Sequence, residues 1–235
     1  MGFWGRAKRE NKVQRLITKI KHPQEGMRKE QKYMNKTGRA LLKSVALGDG
    51  YVDPKGYITI LHSERQKEYL EWKMKLLRKN GISTGELKEK NNNGHKGFTL
   101  YINSTEYGKL MRRFLYTPYK KPSPKFLSDL GPLGLAILYM DDGSISTNQR
   151  KSVLTISTCL PTKEDNQVYI DWIKKDFNVQ FGQRKMGQNY ALICGTREAR
   201  KFIEVVKPFV NQVDCMKYKL NVKPEKAQKS DLDRE

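Results

Sequence analysis

The chain runs twice through the same order of elements, and this duplication constrains its fold more than any single motif. An apolar run ending in Asp-Gly occurs as Leu41-Leu42-Lys43-Ser44-Val45-Ala46-Leu47-Gly48-Asp49-Gly50 and again as Leu133-Gly134-Leu135-Ala136-Ile137-Leu138-Tyr139-Met140-Asp141-Asp142-Gly143, which puts Asp49 and Asp142 93 residues apart. An alternating stretch follows each run, Tyr57-Ile58-Thr59-Ile60-Leu61 and Ser152-Val153-Leu154-Thr155-Ile156-Ser157, and each reads as a strand with one buried face. A helix then carries Tyr69 and Trp72 in the first half and Tyr169 and Trp172 in the second, aromatic residues at i and i+3 on one face.

Further strands are expected at residues 97–102, at Val179-Gln180-Phe181 and at residues 190–194. Capped helices open at Ser104-Thr105-Glu106 and Thr196-Arg197-Glu198, with Leu110, Met111 and Phe114 turned inward in one and Phe202, Ile203 and Val206 in the other. Each half closes on Tyr-Lys, at Tyr119-Lys120-Lys121 and Tyr218-Lys219. The spacing drifts by a few residues between matches, as loop insertions make it drift, while the order is kept. Residues 88–97, with Asn91-Asn92-Asn93-Gly94, read as a polar hairpin loop.

Charge narrows the partner. The 46 Lys+Arg against 25 Asp+Glu leave a net charge of +21, spread along all 235 residues. Such a surface suits a phosphate backbone followed over a long distance, because each neutralised phosphate releases a condensed counterion. Cys159, Cys194 and Cys215 are widely spaced, without a C-x-x-C pair, and His22, His62 and His95 sit far from them in sequence, so a structural zinc site is not expected. Unpaired cysteines fit a reducing compartment, and no apolar run approaches the roughly 20 residues that span a bilayer. The chain reads as soluble and intracellular, in a bacterial or phage-infected cytoplasm or an organelle matrix. Residues 1–38 read as a basic arm with one amphipathic stretch at Val13, Leu16, Ile17 and Ile20, either a further nucleic-acid contact or a solvated extension. The halves are read as 39–125 and 126–222, with a tail at 223–235.

A carboxylate at a helix C-terminus sits at the negative end of the macrodipole and calls for a cation nearby. A bound metal ion supplies one. The small residues Ser44, Gly48, Gly134 and Ala136 let two such helices approach and bring Asp49 and Asp142 together. At this point residues 46–50 and 135–143 resemble the two motifs of a single-chain LAGLIDADG homing endonuclease, and the likeness covers roughly residues 40 to 222. The resemblance implies an α+β fold of two pseudo-symmetric αββαββα halves, with the motif helices at their interface and antiparallel sheets that bind DNA. It also implies that Asp49 and Asp142 hold a catalytic divalent metal, with the preceding Gly48 and Asp141 completing the candidate ligand set. The first motif departs from the pattern: it lacks the leading Leu-Ala and has Gly48 where the second has Asp141. A lysine near the active site at the end of each half is implied too, here Lys219 and either Lys120 or Lys121.

Paired hard carboxylates favour Mg²⁺ over zinc, with Mn²⁺ as a substitute. The lysines would act as point charges on the developing negative charge or on the attacking water. Alternate residues on strands would read base edges in the major groove while basic neighbours hold phosphates. The candidates are Arg150, Lys151, Gln183, Arg184, Lys185, Gln188 and Asn189, with Lys90, Asn92 and Lys96 in the first half. The sequence therefore points to a monomeric, intron- or intein-borne endonuclease that cuts both strands of a long asymmetric DNA site. The rival readings are an intron RNA maturase, binding its own intron RNA, and a non-catalytic DNA-binding protein.

Overall fold

The computed structural model describes residues 34–92, 94–148 and 151–222. The helical stretch read near residue 16, Arg150 and the tail lie outside the described residues. Helix α1 (Lys36–Leu47) starts where the Asn35 side chain accepts a hydrogen bond from the Gly38 N–H at 2.6 Å, an N-cap that places the helix start ahead of the arm boundary read at residue 38. There follow β1 (Tyr51–Val52), β2 (Ile58–Ser63), α2 (Lys67–Lys79), β3 (Lys88–Asn92), β4 (His95–Ile102) and α3 (Glu106–Leu115). A short helix, α4 (Pro124–Leu127), leads into the second passage: α5 (Gly131–Asp142), β5 (Gly143–Thr147), β6 (Ser152–Leu160), α6 (Lys163–Phe177), β7 (Gly182–Met186), β8 (Asn189–Gly195) and α7 (Thr196–Val210). A 3₁₀ turn at Asp214–Leu220 closes it. Both passages are αββαββα, and both sheets are antiparallel with the same order, β1-β2-β4-β3 and β5-β6-β8-β7.

Four local expectations are corrected. Residues 88–97 are mostly strand: β3 pairs with β4 from Lys88↔Thr99 to Asn92↔His95. An edge strand exposed on both faces carries no hydrophobic alternation, so its sequence looks like a loop. Val179 and Phe181 are not strand; they fill the core from an irregular link, Phe181 edge-on to Phe202, and the polar residues after them form the edge strand β7. In α3 the inward row is Tyr107, Met111 and Leu115, and Phe114 stands 54% exposed. Thr196 does not cap α7, whose N-cap is Gly195. Its hydroxyl instead accepts from the Ser152 N–H and donates to the Ser152 carbonyl, tying the helix to β6.

The halves meet along α1 and α5. Leu41, Leu42, Val45 and Ala46 on one helix and Leu135, Ala136, Ile137 and Leu138 on the other are at most 1% exposed and belong to one continuous core. Truncating one such leucine to alanine costs about 2–5 kcal/mol. The approach is close enough that a Cβ on Gly134 would lie 2.7 Å from Ser44 Oγ. Lys43, which replaces the apolar residue expected in the first motif, is buried, and its ammonium bonds Asp129 at 2.7 Å and the Phe126 carbonyl at 3.3 Å. The departure in the motif thus anchors the segment that joins the halves.

Each half also reaches across to the second helix of the other. Tyr119 and Lys121 bond Asp165 at the start of α6. In the opposite sense, Glu68 on α2 accepts from the backbone N–H groups of Asp214 and Cys215 at 2.8 and 3.0 Å, and Trp72 donates to Gln212 at 3.2 Å. The two clasps hold the closing segments, and with them Lys120 and Lys219, against the motif helices.

Candidate active site

The C-terminal ends of α1 and α5 lie side by side, and the sequence puts a carboxylate at each. Asp142 is the last residue of α5, and Asp49 follows Gly48, the C-cap of α1. The caps Gly48 and Gly143 both have negative φ, −77° and −88°, so neither is left-handed. Space, rather than handedness, requires glycine there. A Cβ on Gly143 would sit 2.0 Å from the Tyr139 ring, and one on Gly48 would sit 2.0 Å from Asp141 Oδ2.

Asp141 is turned away from the exposed side of the site. Its carboxylate is 0% exposed and accepts from Lys73 Nζ at 2.5 Å, the Tyr69 hydroxyl at 2.8 Å and the Asp49 backbone N–H at 3.1 Å. Lys73 Nζ also lies 3.2 Å from His62 Nε2, while His62 Nδ1 lies 3.1 Å from Gln66 Oε1 and 3.7 Å from Asp49 Oδ2. An ammonium can only donate, so Nε2 is the acceptor and the His62 proton is on Nδ1. Burial and then the Lys73 charge push the His62 pKa down to about 4, which keeps the ring neutral. Burial, followed by the negative charge of Asp141, holds Tyr69 well above its ordinary value, so it remains a donor.

The three aspartates titrate apart. Burial would raise Asp141, but Lys73, His62 and the donated hydrogen bonds outweigh it and hold the carboxyl below its ordinary value. Burial, then the charges of Asp141 and Asp49, pushes Asp142 up to about 7, and Asp49 is raised by burial and by Asp141. Among the described residues no hydrogen bond or ion pair engages the Asp142 carboxylate. Two half-exposed carboxylates raised by burial and by neighbouring negative charge form a set of hard oxygen donors that a divalent cation would satisfy.

Lys120 and Lys219 occupy matching places. Lys120 Nζ donates to the carbonyls of Gly48 and Gly50. Lys219, 5% exposed, donates to those of Tyr139 and Met140, and the Tyr139 hydroxyl returns a bond of 2.6 Å to the Lys219 carbonyl. Each ammonium thus faces the negative end of its own motif helix. Burial lowers both lysine pKa values against the pull of the aspartates. Lys121 points the other way, to Asp165, and belongs to the clasp. The two lysines the sequence leaves open are separated by the turn of one residue. Of the candidate metal ligands, Asp49 and Asp142 keep available oxygens. Asp141 is committed to Lys73, and Gly48 offers a carbonyl that already accepts from Lys120.

The candidate DNA-binding residues divide by strand register. In the second sheet Leu154, Ile156, Leu192 and Cys194 face the helices, and Gln183, opposite Leu192, shares their face; its amide donates to Gln167 on α6 at 3.2 Å. Arg184, opposite Ala191, and Asn189, opposite Met186, lie on the outer face. Lys185 shares the face of Gln183, exposed at the edge, and Lys151 and Gln188 are exposed outside the strands. In the first sheet Lys90 is on the outer face by register and Asn92 ends β3, paired with His95, whereas Lys96 lies on the helix side and pairs with Glu64 and Glu89, both at 3.3 Å. Gln183, Lys185 and Lys96 are therefore placed against the expectation.

Sequence reasoning missed His62, Tyr69 and Lys73 as site residues. The signal lay in the repeat: Lys73 falls where the second half has Ile173, a lysine on a helix row that is otherwise apolar.

The sequence from 44 to 202 matches the LAGLIDADG DNA endonuclease family. The chain belongs to that family. It is 31% identical to Protein RecA of Mycolicibacterium fallax over 68% of this chain and 39% of the relative, and 27% identical to Protein RecA of Mycolicibacterium flavescens over 74% and 44%. It thus spans about two fifths of the length of these relatives. Among solved structures, it resembles the homing endonuclease I-WcaI bound to its DNA recognition sequence, with a TM-score of 0.67 and 18% identity over 81% of this chain and 88% of that one. It also resembles full-length DUF199/WhiA from Thermatoga maritima, with a TM-score of 0.52 and 13% identity over 81% and 62%. Both likenesses show the LAGLIDADG fold. Among the described residues no helix is long and apolar enough to cross a membrane.

Proposed function

We propose that this LAGLIDADG protein is a site-specific DNA endonuclease that cuts both strands of a long, asymmetric target with a divalent metal, Mg²⁺ or in its place Mn²⁺. The observation that carries the reading is the pair Asp49 and Asp142, at the ends of two packed helices, both with raised pKa values and flanked by Lys120 and Lys219. A protein that only bound DNA would gain stability by losing those acids.

Asp49 and Asp142 would hold the metal, which when bound supplies positive charge at the phosphate and an acidified water. The chain's own groups do the rest. Lys120 and Lys219 place ammonium groups where negative charge develops, each fixed by two backbone carbonyls so that little reorganisation is needed. The outer faces of the two sheets, with Lys90 on one and Arg184 and Asn189 on the other, follow the duplex. Both aspartates belong to one chain, so a monomer suffices. The halves differ in sequence, so the target need not be palindromic.

The test is cleavage of a plasmid library of random inserts by the full chain in Mg²⁺, with Asp142→Asn beside it. Discrete double-strand ends are expected from the wild type and none from the variant, which still shifts the selected DNA. Cleavage undiminished in Asp142→Asn would sink the mechanism, and binding without cleavage by the wild type would assign the chain to non-catalytic DNA binding.

A further inference from the structure

The two halves share a fold but not the support beneath their aspartates. Under Asp49 lies a buried polar network of Asp141, Lys73, Tyr69 and His62, with His62 braced by Gln66. The repeat places Gly48, Ile173, Tyr169, Thr158 and Asn166 at the matching positions. There Thr158 bonds Asn166, Ile173 is 0% exposed in an apolar setting, and no carboxylate enters from the other motif, because Gly48 has no side chain to send. The difference is correlated across the axis: the glycine of the first motif makes room for the aspartate of the second, and that aspartate needs the lysine.

We propose that Lys73 is a positioning residue for the first aspartate centre alone, holding Asp49 through Asp141 and locking His62 beside it. Its ammonium binds Asp141, whose other oxygen receives the Asp49 N–H, and it fixes His62 as the tautomer whose Nδ1–H bonds Gln66 Oε1, 3.7 Å from the Asp49 carboxylate. Asp49 is thereby held by its backbone N–H, with the neutral His62 ring fixed beside its carboxylate at 3.7 Å. Asp142 is held by the end of α5 itself and has no such network, so the two centres are built to be unequal. This rests on the proposed nuclease and adds to it that each half, with its own aspartate, serves one DNA strand.

The experiment uses supercoiled plasmid carrying a site recovered in the library selection, with nicked strands identified by sequencing. Lys73→Met is expected to slow one strand at least tenfold more than the other, so that nicked circles accumulate with every nick on the same strand. Because Lys73→Met leaves Asp141 buried without its partner and can impair folding, a second variant copies the second half's own packing: His62→Thr, Lys73→Ile and Asp141→Gly. It should keep a cooperative melt and show the same one-strand defect. Equal slowing of both strands, or none, in the folded triple variant would overturn the proposal. A readout free of cleavage accompanies it: ¹⁵N spectra of the imidazoles, only three in the chain, should show the His62 proton on Nδ1 in the wild type and a tautomer mixture in Lys73→Met. A wild-type proton on Nε2 refutes the network whatever the activity. A wild type that cuts no DNA removes the nuclease reading and leaves the imidazole spectra to decide the network.

Discussion

Gly48 and Asp141, one from each motif, are in contact so close that a single methyl group on the glycine would lie 2.0 Å from the aspartate's Oδ2. The aspartate cannot retreat, because its carboxylate is fully buried and bonded on both oxygens. Gly48→Ala should therefore destabilise the fold by about 2–4 kcal/mol, combining overpacking with disturbance of a buried ion pair. Urea denaturation measures this. A loss under about 0.5 kcal/mol, the usual range of a harmless surface change, would mean that the interface gives way more easily than its packing implies.

The raised pKa of Asp142 gives metal-free protein a specific pH signature. The group binds its proton more tightly folded, at about 7, than unfolded, near 3.8, so its contribution to stability is lost as pH rises between those values. His62 works in the opposite sense: its folded pKa of about 4 lies below the ordinary 6.5, and its contribution is lost as pH falls through that window. The two slopes largely cancel in the wild type, so the effect is read as a difference. Asp142→Asn should match the wild type near pH 4 and exceed it increasingly up to about pH 7, by at most roughly 4 kcal/mol for a shift of about three units. Adding Mg²⁺ at pH 8 should close the gap by stabilising only the wild type. Thermal melts with and without EDTA provide the test, and a difference independent of pH would refute it.

What the sequence disclosed and what it hid divide along physical lines. The repeat and the Asp-Gly ends made the two halves and the aspartate pair legible, because helix packing and period-two strands leave patterns in one chain. Edge strands such as β3 and β7 left none, since neither face is fully buried. Lys73 and Lys43 were hidden for another reason: each is a lysine in an apolar place whose partner, Asp141 or Asp129, lies many residues away at the start of the other half. Such pairs appear in sequence only as breaks in a repeat.

Lys120 and Lys121 are neighbours with opposite duties. Lys120→Met removes the ammonium bonded at Gly48 and Gly50 and should lower the single-turnover cleavage rate by about a hundredfold or more, as loss of one charge-stabilising donor does. Lys121→Met breaks a partly exposed pair with Asp165 and should leave the melting curve nearly unchanged, with the cleavage rate kept within threefold. The reverse order of rate effects would place the wrong lysine in the site.

The sheet registers predict which basic residues hold DNA. Arg184 and Lys90 stand on outer faces, and among the described residues neither has an ion-pair partner; Lys96 and Gln183 are turned to the helices and occupied by Glu64, Glu89 and Gln167. A phosphate contact adds about one counterion to those released on binding, so Arg184→Ala and Lys90→Ala should each lower the slope of log K against log salt by about 1. Lys96→Ala removes a charge already neutralised by two glutamates, and Gln183→Ala removes none, so both should leave the slope unchanged. Fluorescence anisotropy with the selected target, in Ca²⁺ to prevent turnover, reads all four variants. If Lys96→Ala changes the slope as much as Arg184→Ala does, the duplex lies on the helical side of the sheets and the proposed DNA face is wrong.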